Sequence, residues 1–583
     1  MFLGYFLTFG MLLSFSAFVF AVILNRETIK EVIASNGITR KHVVVALAIM
    51  LLFVFIEVLL VKPTQQLFFD DVIYQGMAQQ LINTGQAVMC NFGTPSTCYQ
   101  GQLFHEPIGT AFNIAIGFIV FGVKRASAYI VEFFLASIAV LASFFDTALI
   151  FRNNKIGFFT ELFMALSPIM LVWAYPTTSD MTMLSYSLIA LFFVAVFIKK
   201  KNMLGFASML FSIAVLSYMK VVAAAYMIVF FVVYLLLDDN SILSSLKNNF
   251  KRVARNILNT KVLIIVLIFV IAATPEVFYT EQEFITPSNY GTGQILNTCS
   301  IVPNTYGNYT HKIDFLNFKY NFCSNFGFWF NLYANEEKGY PIMQPMIFTI
   351  FAILGFAYMA FVEKRRQLAA IGIWFLFFFI LYTSFYAGGV LYGVDWRFML
   401  SVIYQVSVFG GVGAWIIYEL IGYLRKDLHF KGRNIFFSIA FAVLLLAIFY
   451  PVYKLGPLLA INPANITQAS QARADENFVY SDAHEIPANC LVFSYTPYLF
   501  NLNNRASTQM FNMLNKTFMA NASLRYNCFV IDYGFWCYTP NNYCNSVMMN
   551  YRTVPIASAN TTMSPIESFY FYKVTGINSS DTQ

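Results

Sequence analysis

The sequence predicts a polytopic α-helical membrane protein of about 12 spans plus juxtamembrane helices, with a small extracytoplasmic α/β domain at its C-terminal end. Three observations predict this. Of 583 residues, 58% are hydrophobic and only 11% charged, against roughly 25% charged in an average soluble protein. Twelve apolar runs are long enough to cross about 30 Å of hydrocarbon. Basic residues, cysteines and glycosylation sequons sort to opposite sides of those runs. With a mean hydropathy of +0.62, so few charges exclude a soluble enzyme, a disordered chain and a nucleic-acid binder. The +7 balance carries information only through its placement.

The apolar runs are 1–24, 43–62, 126–151, 156–174, 181–198, 203–219, 221–237, 262–280, 344–362, 368–390, 398–421 and 434–455. A further run, 108–123, is shorter, and its path fixes the sidedness of everything after it. If it does not cross, the connections 25–42, 152–155, 199–202, 238–261, 363–367 and 422–433 fall on one side and hold 21 of the 36 Lys and Arg. Enrichment in Lys and Arg marks that side as cytoplasmic. All eight cysteines then lie outside: Cys90 and Cys98, Cys299 and Cys323, and Cys490, Cys528, Cys537 and Cys544. Even numbers in each outer region predict local disulfides on an oxidising side. The sequons at Asn308, Asn465, Asn515, Asn521, Asn560 and Asn578 lie outside as well. Run 1–24 has no preceding basic residue and no convincing cleavage site, so it reads as an anchor helix with its N-terminus out. Lys220 divides 203–237 into two short helices that meet at the outer face.

Three divisions follow: 1–42, an extra N-terminal span and cytoplasmic loop; 43–455, the transmembrane domain with outer loops 63–125 and 281–343; and the outer domain 456–583. In the last, 478–482, 490–495, 529–533 and 568–574 read as strands, with a helical segment near 507–520. In the first outer loop, Ile73, Met77 and Leu81 recur at helical spacing opposite Gln75, Gln79, Gln80 and Asn83. This predicts a short amphipathic helix lying on the membrane and ended by Gly85.

Candidate chemistry collects at the outer ends of the spans. Asp70 and Asp71 follow the second span, Asp180 lies in PTTSD, His105 in HEPIG, Lys220 ends a short span, and Arg397 lies in DWRFML. Each has an ordinary structural reading. The aspartates suit helix N-termini, Lys220 can snorkel, and Arg397 beside Trp396 suits an interfacial anchor. Together, acids and cations at one membrane depth suit a reaction in which an acceptor loses a proton and a leaving group gains negative charge. The sequence has no HExxH, P-loop or dinucleotide motif and no nucleophile elbow. The acids Glu57, Glu132, Asp146 and Glu161 lie within spans, where charge often marks an ion path. Asp146 and Glu161, near the inner boundary, are expected to reach water or a partner.

The order of these motifs resembles that of GT-C membrane glycosyltransferases, specifically the family 39 protein O-mannosyltransferase and aminoarabinose transferase group. The resembling segments are DDVIYQGMAQQLINTGQ (70–86), HEPIG (105–109), Phe121–Gly122, ALSPIMLVWAYPTTSD (165–180), SYMK (217–220) and WRFML (396–400), covering roughly residues 43–400. Glu106 replaces a family proline, and Tyr129 stands where the family has an arginine. The resemblance implies an inverting displacement on a polyprenyl (dolichyl) phosphate sugar, with a lipid, glycan or protein acceptor. Asp70 is then the general base, Asp71 and Asp180 orient acceptor or sugar, and His105, Lys220 and Arg397 bind the lipid phosphate. No cofactor is required; Mn²⁺ or Mg²⁺ on the acids is chemically allowed but not favoured by the resemblance. The expected setting is a plasma membrane, or the endoplasmic reticulum of a eukaryote, with the site extracytoplasmic. Two alternatives come from other classes. One is a transporter or flippase depending on Glu57 and Glu132, and the other is an assembly subunit whose tail recruits partners.

Overall fold

The computed structural model describes residues 2–61, 63, 70–102, 107–236, 260–285, 292–295, 305–308, 318, 322, 346–361, 365–385, 395–427, 435, 438–446, 448–449, 467–538, 542–561 and 566–578. The first helix, α1 (Phe2–Ser35), is one 34-residue rod, about 51 Å long. It continues beyond the expected end at residue 24 because no breaker occurs before Gly37, whose φ is +71°. Thr39 and His42 then form a capping box that starts α2 (Arg40–Leu60). The basic connection expected over 25–42 is therefore mostly helix.

Helix α3 (Asp70–Thr84) ends at Gly85, with φ +71°. It is followed by a hairpin, β1 (Met89–Gly93) and β2 (Cys98–Gln102). Helix α4 (Ile108–Phe121) has 14 residues and spans only about 21 Å. Its start lies against Tyr218 and Met219 through Gly109, where a Cβ would collide with the Met219 sulfur. Just beyond its end, Arg125 opens α5 (Arg125–Phe151) and donates to Asn477 of the C-terminal region at 3.2 Å. The helix thus lies along the face that carries that region.

The run 156–174 is broken by Ser167–Pro168 into α6 (Asn154–Ala165) and α7 (Pro168–Trp173), since proline cannot continue a helix from behind but fits its first turn. Helix α8 (Ser179–Lys200) starts after Thr178, whose side chain accepts from the Met181 amide. Lys220 separates α9 (Met203–Met219) from α10 (Val221–Leu236) with extended backbone, φ −162° and ψ 119°. Then come α11 (Thr260–Ile285), the small ladder β3 (Thr292–Ile295) and β4 (Thr305–Asn308), α12 (Met346–Phe361), α13 (Arg365–Ser384), a 3₁₀ segment (Asp395–Ser401) and α14 (Ile403–Asp427). Gly355 and Gly413 let α12 and α14 touch backbone to backbone: a Cβ on either would strike a carbonyl oxygen, of Phe409 or Phe351.

Among the described residues seven helices are long and apolar enough to cross a membrane. Helices α9, α10 and α12 are apolar but have 17, 16 and 16 residues, and run 434–455 is described only in part. The chain is a multi-pass membrane protein.

The C-terminal region holds α15 (Thr467–Asp482), β5 (Cys490–Ser494), α16 (Pro497–Leu502), β6 (Ala506–Gln509), α17 (Lys516–Ser523), β7 (Cys528–Tyr533), α18 (Cys544–Asn550), β8 (Tyr551–Asn560) and β9 (Ser568–Ile577). The expected strand 478–482 is instead the last turn of α15. Five residues are too few to separate a period of 2 from one of 3.6. The segment 507–520 is divided between β6, a 3₁₀ turn and the start of α17. Seven strands form one sheet in the order β2-β1-β6-β5-β7-β9-β8. Strands β6, β5 and β7 are parallel, and β1 joins antiparallel to β6 through Phe92 with Thr508 and Gly93 with Ser507. The first loop and the C-terminal region therefore share a sheet.

That sharing corrects the expected place of α3. Residues Asp71–Gln80 are all buried, so the helix does not lie on a membrane surface. Its glutamine face meets protein: Gln79 donates to the Asn501 carbonyl at 3.3 Å and Gln80 to that of Pro95 at 3.1 Å. Gly76 permits this approach, because a Cβ there would lie 3.2 Å from the Tyr498 Cβ.

Disulfides join Cys90 to Cys98, Cys490 to Cys528 and Cys537 to Cys544; Cys299 and Cys323 lie outside the described residues. Asn515, Asn521 and Asn560 are exposed on the C-terminal region. Asn578 is half-buried, Asn308 ends β4 and Asn465 lies outside the described residues. The Cys490–Cys528 bridge ties adjacent parallel strands across 38 residues. Replacing both with alanine is expected to cost about 4 kcal/mol by loop entropy. Chemical denaturation of the wild type and this variant, followed by limited proteolysis of the C-terminal region, measures it.

Candidate active site

Four charged side chains from four separate segments form one chain of ion pairs. Asp70 opens α3, and the Arg397 Nη1 donates to its Oδ2 at 2.7 Å. Arg397 sits in the 3₁₀ segment and also brings Nε within 3.4 Å of the Asp180 Oδ2. Asp180 lies in the first turn of α8, and its Oδ1 accepts from the Lys220 ammonium. Lys220 reaches it because the backbone leaves the helix at that position. The sequence of contacts is thus Lys220, Asp180, Arg397, Asp70, with alternating sign and no net charge.

Burial makes these contacts strong. The Asp180 side chain is 1% exposed, while Lys220, Arg397 and Asp70 are 20%, 14% and 19% exposed. Unscreened charges at such depth need partners. Aromatic rings provide the floor: Tyr382 and Phe398 stack 4.5 Å apart, 11° from parallel. The Lys220 ammonium lies 5.5 Å from the Phe398 ring centre and donates to the Tyr382 hydroxyl at 3.2 Å. The Arg397 guanidinium sits 5.2 Å from Phe398. Asp70, Arg397 and Lys220 each keep a minor part of their side chain exposed, whereas Asp180 is enclosed.

Asp71 faces elsewhere. Its Oδ1 accepts from the Thr177 hydroxyl at 2.8 Å, and that hydroxyl also lies 3.1 Å from the Asp71 carbonyl. This ties the start of α3 to the loop before α8. Around Asp71 stand groups from α5 and from the C-terminal region. Arg125 donates to the Tyr129 hydroxyl at 2.6 Å, so a guanidinium from one turn earlier stands beside the tyrosine. Glu132 accepts from Thr182 at 3.2 Å. Helix α15 brings Arg473, Glu476 and Tyr480, whose charges interact with Asp71. Tyr498 of α16 lies within the field of Asp70 and Glu476. Burial pushes the Glu476 carboxyl well above the usual carboxylate range, against the pull of Arg125.

The structure thus gathers Asp70, Asp71, Asp180, Lys220 and Arg397. His105 and Glu106 lie outside the described residues. Tyr382, Phe398, Thr177, Arg125, Arg473 and Glu476 were absent from the sequence-predicted set. Thr177 is next to a motif in PTTSD, whereas nothing marks Tyr382 or Arg473 in the sequence. Glu57, Asp146 and Glu161 are buried in the bundle with no hydrogen-bond partner among the described residues. For Asp146 and Glu161 this burial differs from the expected contact with water, because α5 and α6 pack these side chains inward.

Residues 105–273 match the model of a family described as dolichyl-phosphate-mannose-protein mannosyltransferase. The chain is similar to the crystal structure of ArnT from Cupriavidus metallidurans in the apo state, with TM-score 0.52 and 13% identity over 93% of this chain and 98% of that one. The fold is that of the GT-C membrane glycosyltransferases. The archaeal oligosaccharyltransferase AglB from Archaeoglobus fulgidus, in complex with an inhibitory peptide and a dolichol-phosphate, is similar at TM-score 0.45 and 12% identity, over 90% of this chain and 74% of that one. No curated protein matches the chain in sequence. The four-residue ion-pair chain lies within this GT-C fold where α3, α8, the α9–α10 junction and the 3₁₀ segment converge.

Proposed function

We propose that this protein transfers a sugar from a polyprenyl-phosphate carrier to an acceptor hydroxyl, on the face that carries the C-terminal region. The carrying observation is the Lys220–Asp180–Arg397–Asp70 chain. Two largely buried cations are held by acids that can hand them to an incoming phosphate. The matching family model adds the chemical class, a dolichyl-phosphate sugar.

In this mechanism the lipid phosphate takes hydrogen bonds from Lys220 and Arg397. Arg397 then shifts from Asp70 toward the phosphate, and the Asp70 carboxylate accepts a proton. The acceptor oxygen attacks the anomeric carbon as its proton passes to Asp70, and the bond from that carbon to the phosphate oxygen breaks. The electron pair stays on the phosphate, where the two cations stabilise it. Attack opposite to the leaving group inverts the anomeric centre. Asp71 and Asp180 hold the loop and the cations in place. The site faces the extracytoplasmic side, where the disulfides form.

The test is transfer by purified protein in nanodiscs. Radiolabelled polyprenyl-phosphate mannose or glucose is supplied with a mixed pool of lipid, glycan and peptide acceptors. Label moving from donor to product supports the reading. Donor binding without transfer, with transport across a sealed vesicle, would replace it with the transporter. Because two cations already meet the leaving group, excess EDTA is expected to leave turnover within about twofold. A loss restored by Mn²⁺ or Mg²⁺ would bring a metal into the mechanism.

A further inference from the structure

A second cationic group stands near Asp71, and the catalytic steps above make no use of it. Arg473 projects from α15 among Glu476, Tyr129, Asp71 and Arg125. Its Nε and Nη2 are both enclosed, and among the described residues neither has a hydrogen-bond partner. These two nitrogens share one edge of the guanidinium, with parallel N–H bonds that fit the two oxygens of a carboxylate or phosphate. Enclosed donors without partners are costly, and burial draws the Arg473 pKa down to about 10, so the group remains cationic at neutral pH. The neighbouring Arg125 is already engaged by Tyr129 and Asn477. Glu476, next to it, is held toward its neutral form by burial. The Nε–Nη2 edge thus keeps two unused donors on a side chain that comes from a different segment than Lys220 and Arg397.

We infer that Arg473 is an acceptor-binding residue and that its Nε–Nη2 edge receives a carboxylate or phosphate carried by the acceptor close to its reactive hydroxyl. The assignment to the acceptor rests on the transferase reading, since the lipid phosphate of the donor occupies Lys220 and Arg397. The anion site itself does not depend on turnover. Selection would be made by the C-terminal region, which brings α15 to a site otherwise built from membrane helices.

The experiment is equilibrium binding to the full chain in nanodiscs saturated with dolichyl phosphate, so that the donor site is filled. The probes are glucuronate, glucose 6-phosphate and neutral glucose. At least one anionic sugar is expected to bind about tenfold or more tighter than glucose, and whichever is tighter identifies carboxylate or phosphate as the group. Arg473→Lys keeps the charge but loses the fork, and should weaken that probe by about tenfold. Arg473→Gln should bring it to the level of glucose. Dolichyl phosphate binding measured alone should be unchanged in both variants, which also reports their folding. Equal binding of the three sugars, no binding of any, or an anion preference that survives in Arg473→Gln overturns the inference. If Arg473→Gln does not fold, Arg473→Lys decides. Failure of the wild type to bind dolichyl phosphate would instead count against the transferase reading.

Discussion

Asp70→Asn is expected to lower sugar transfer by about 10²- to 10⁴-fold, the usual contribution of a positioned general base. The amide keeps the size of the carboxylate and its place at the head of α3, but it cannot take the acceptor's proton. The loss should lie in kcat. Donor affinity should be unchanged or higher, since Arg397 no longer divides its hydrogen bonds between Asp70 and the lipid phosphate. Single-turnover transfer and dolichyl phosphate binding, measured beside a thermal melt, separate these outcomes. Equal turnover in wild type and Asp70→Asn would remove Asp70 from the mechanism.

Asp180→Ala should act first on stability. Asp180 holds Lys220 and lies beside Arg397, and its side chain is 1% exposed. Removing one partner of a buried ion pair costs about 3–5 kcal/mol, because the other charge is left in a poor solvent. The double variant Asp180→Ala with Lys220→Met should recover most of that loss, since replacing both charges by apolar groups is often neutral. Denaturation midpoints of the two single variants and the double variant form the cycle that tests this. A cost below about 1 kcal/mol for Asp180→Ala would mean that the pair behaves as an exposed one. The activity of the double variant should stay low, because it lacks the ammonium proposed to meet the lipid phosphate.

Particular residues show what could be read in advance. Lys220 interrupts a long apolar run, and a charge there can be tolerated only where the chain leaves the membrane or meets a partner; it meets Asp180. Asp70, Asp180 and Arg397 were legible for the same reason, as scarce charges at the ends of apolar runs. Their pairing was not legible, since residues 70 and 397 meet only through the arrangement of many helices. The stripe Ile73, Met77 and Leu81 correctly gave a helix but the wrong surroundings. Periodicity reports one apolar face and says nothing about a protein surface covering the polar one. Gln79 bonded to Asn501 is that missing information. Likewise β1 and β2 are short, and β1 takes its second neighbour from Ser507 and Thr508. Arg473 is not legible, because a lone arginine in a polar helix carries no local signal.

The sheet shared by the first loop and the C-terminal region also sets an order in time. Phe92 pairs with Thr508, more than 400 residues later in the chain. At about 5–20 residues per second, the ribosome needs roughly 20–80 s to deliver the partner strand after the hairpin has been made. During that interval the glutamine face of α3 lacks Asn501, and the neighbourhood of Asp71 lacks Arg473 and Glu476. Membrane insertion of the early helices can proceed, but the surroundings of Asp71 are completed only when the last segment of the chain folds back onto one of the first. Synthesis thus withholds the finished candidate site from the membrane until that late segment is present.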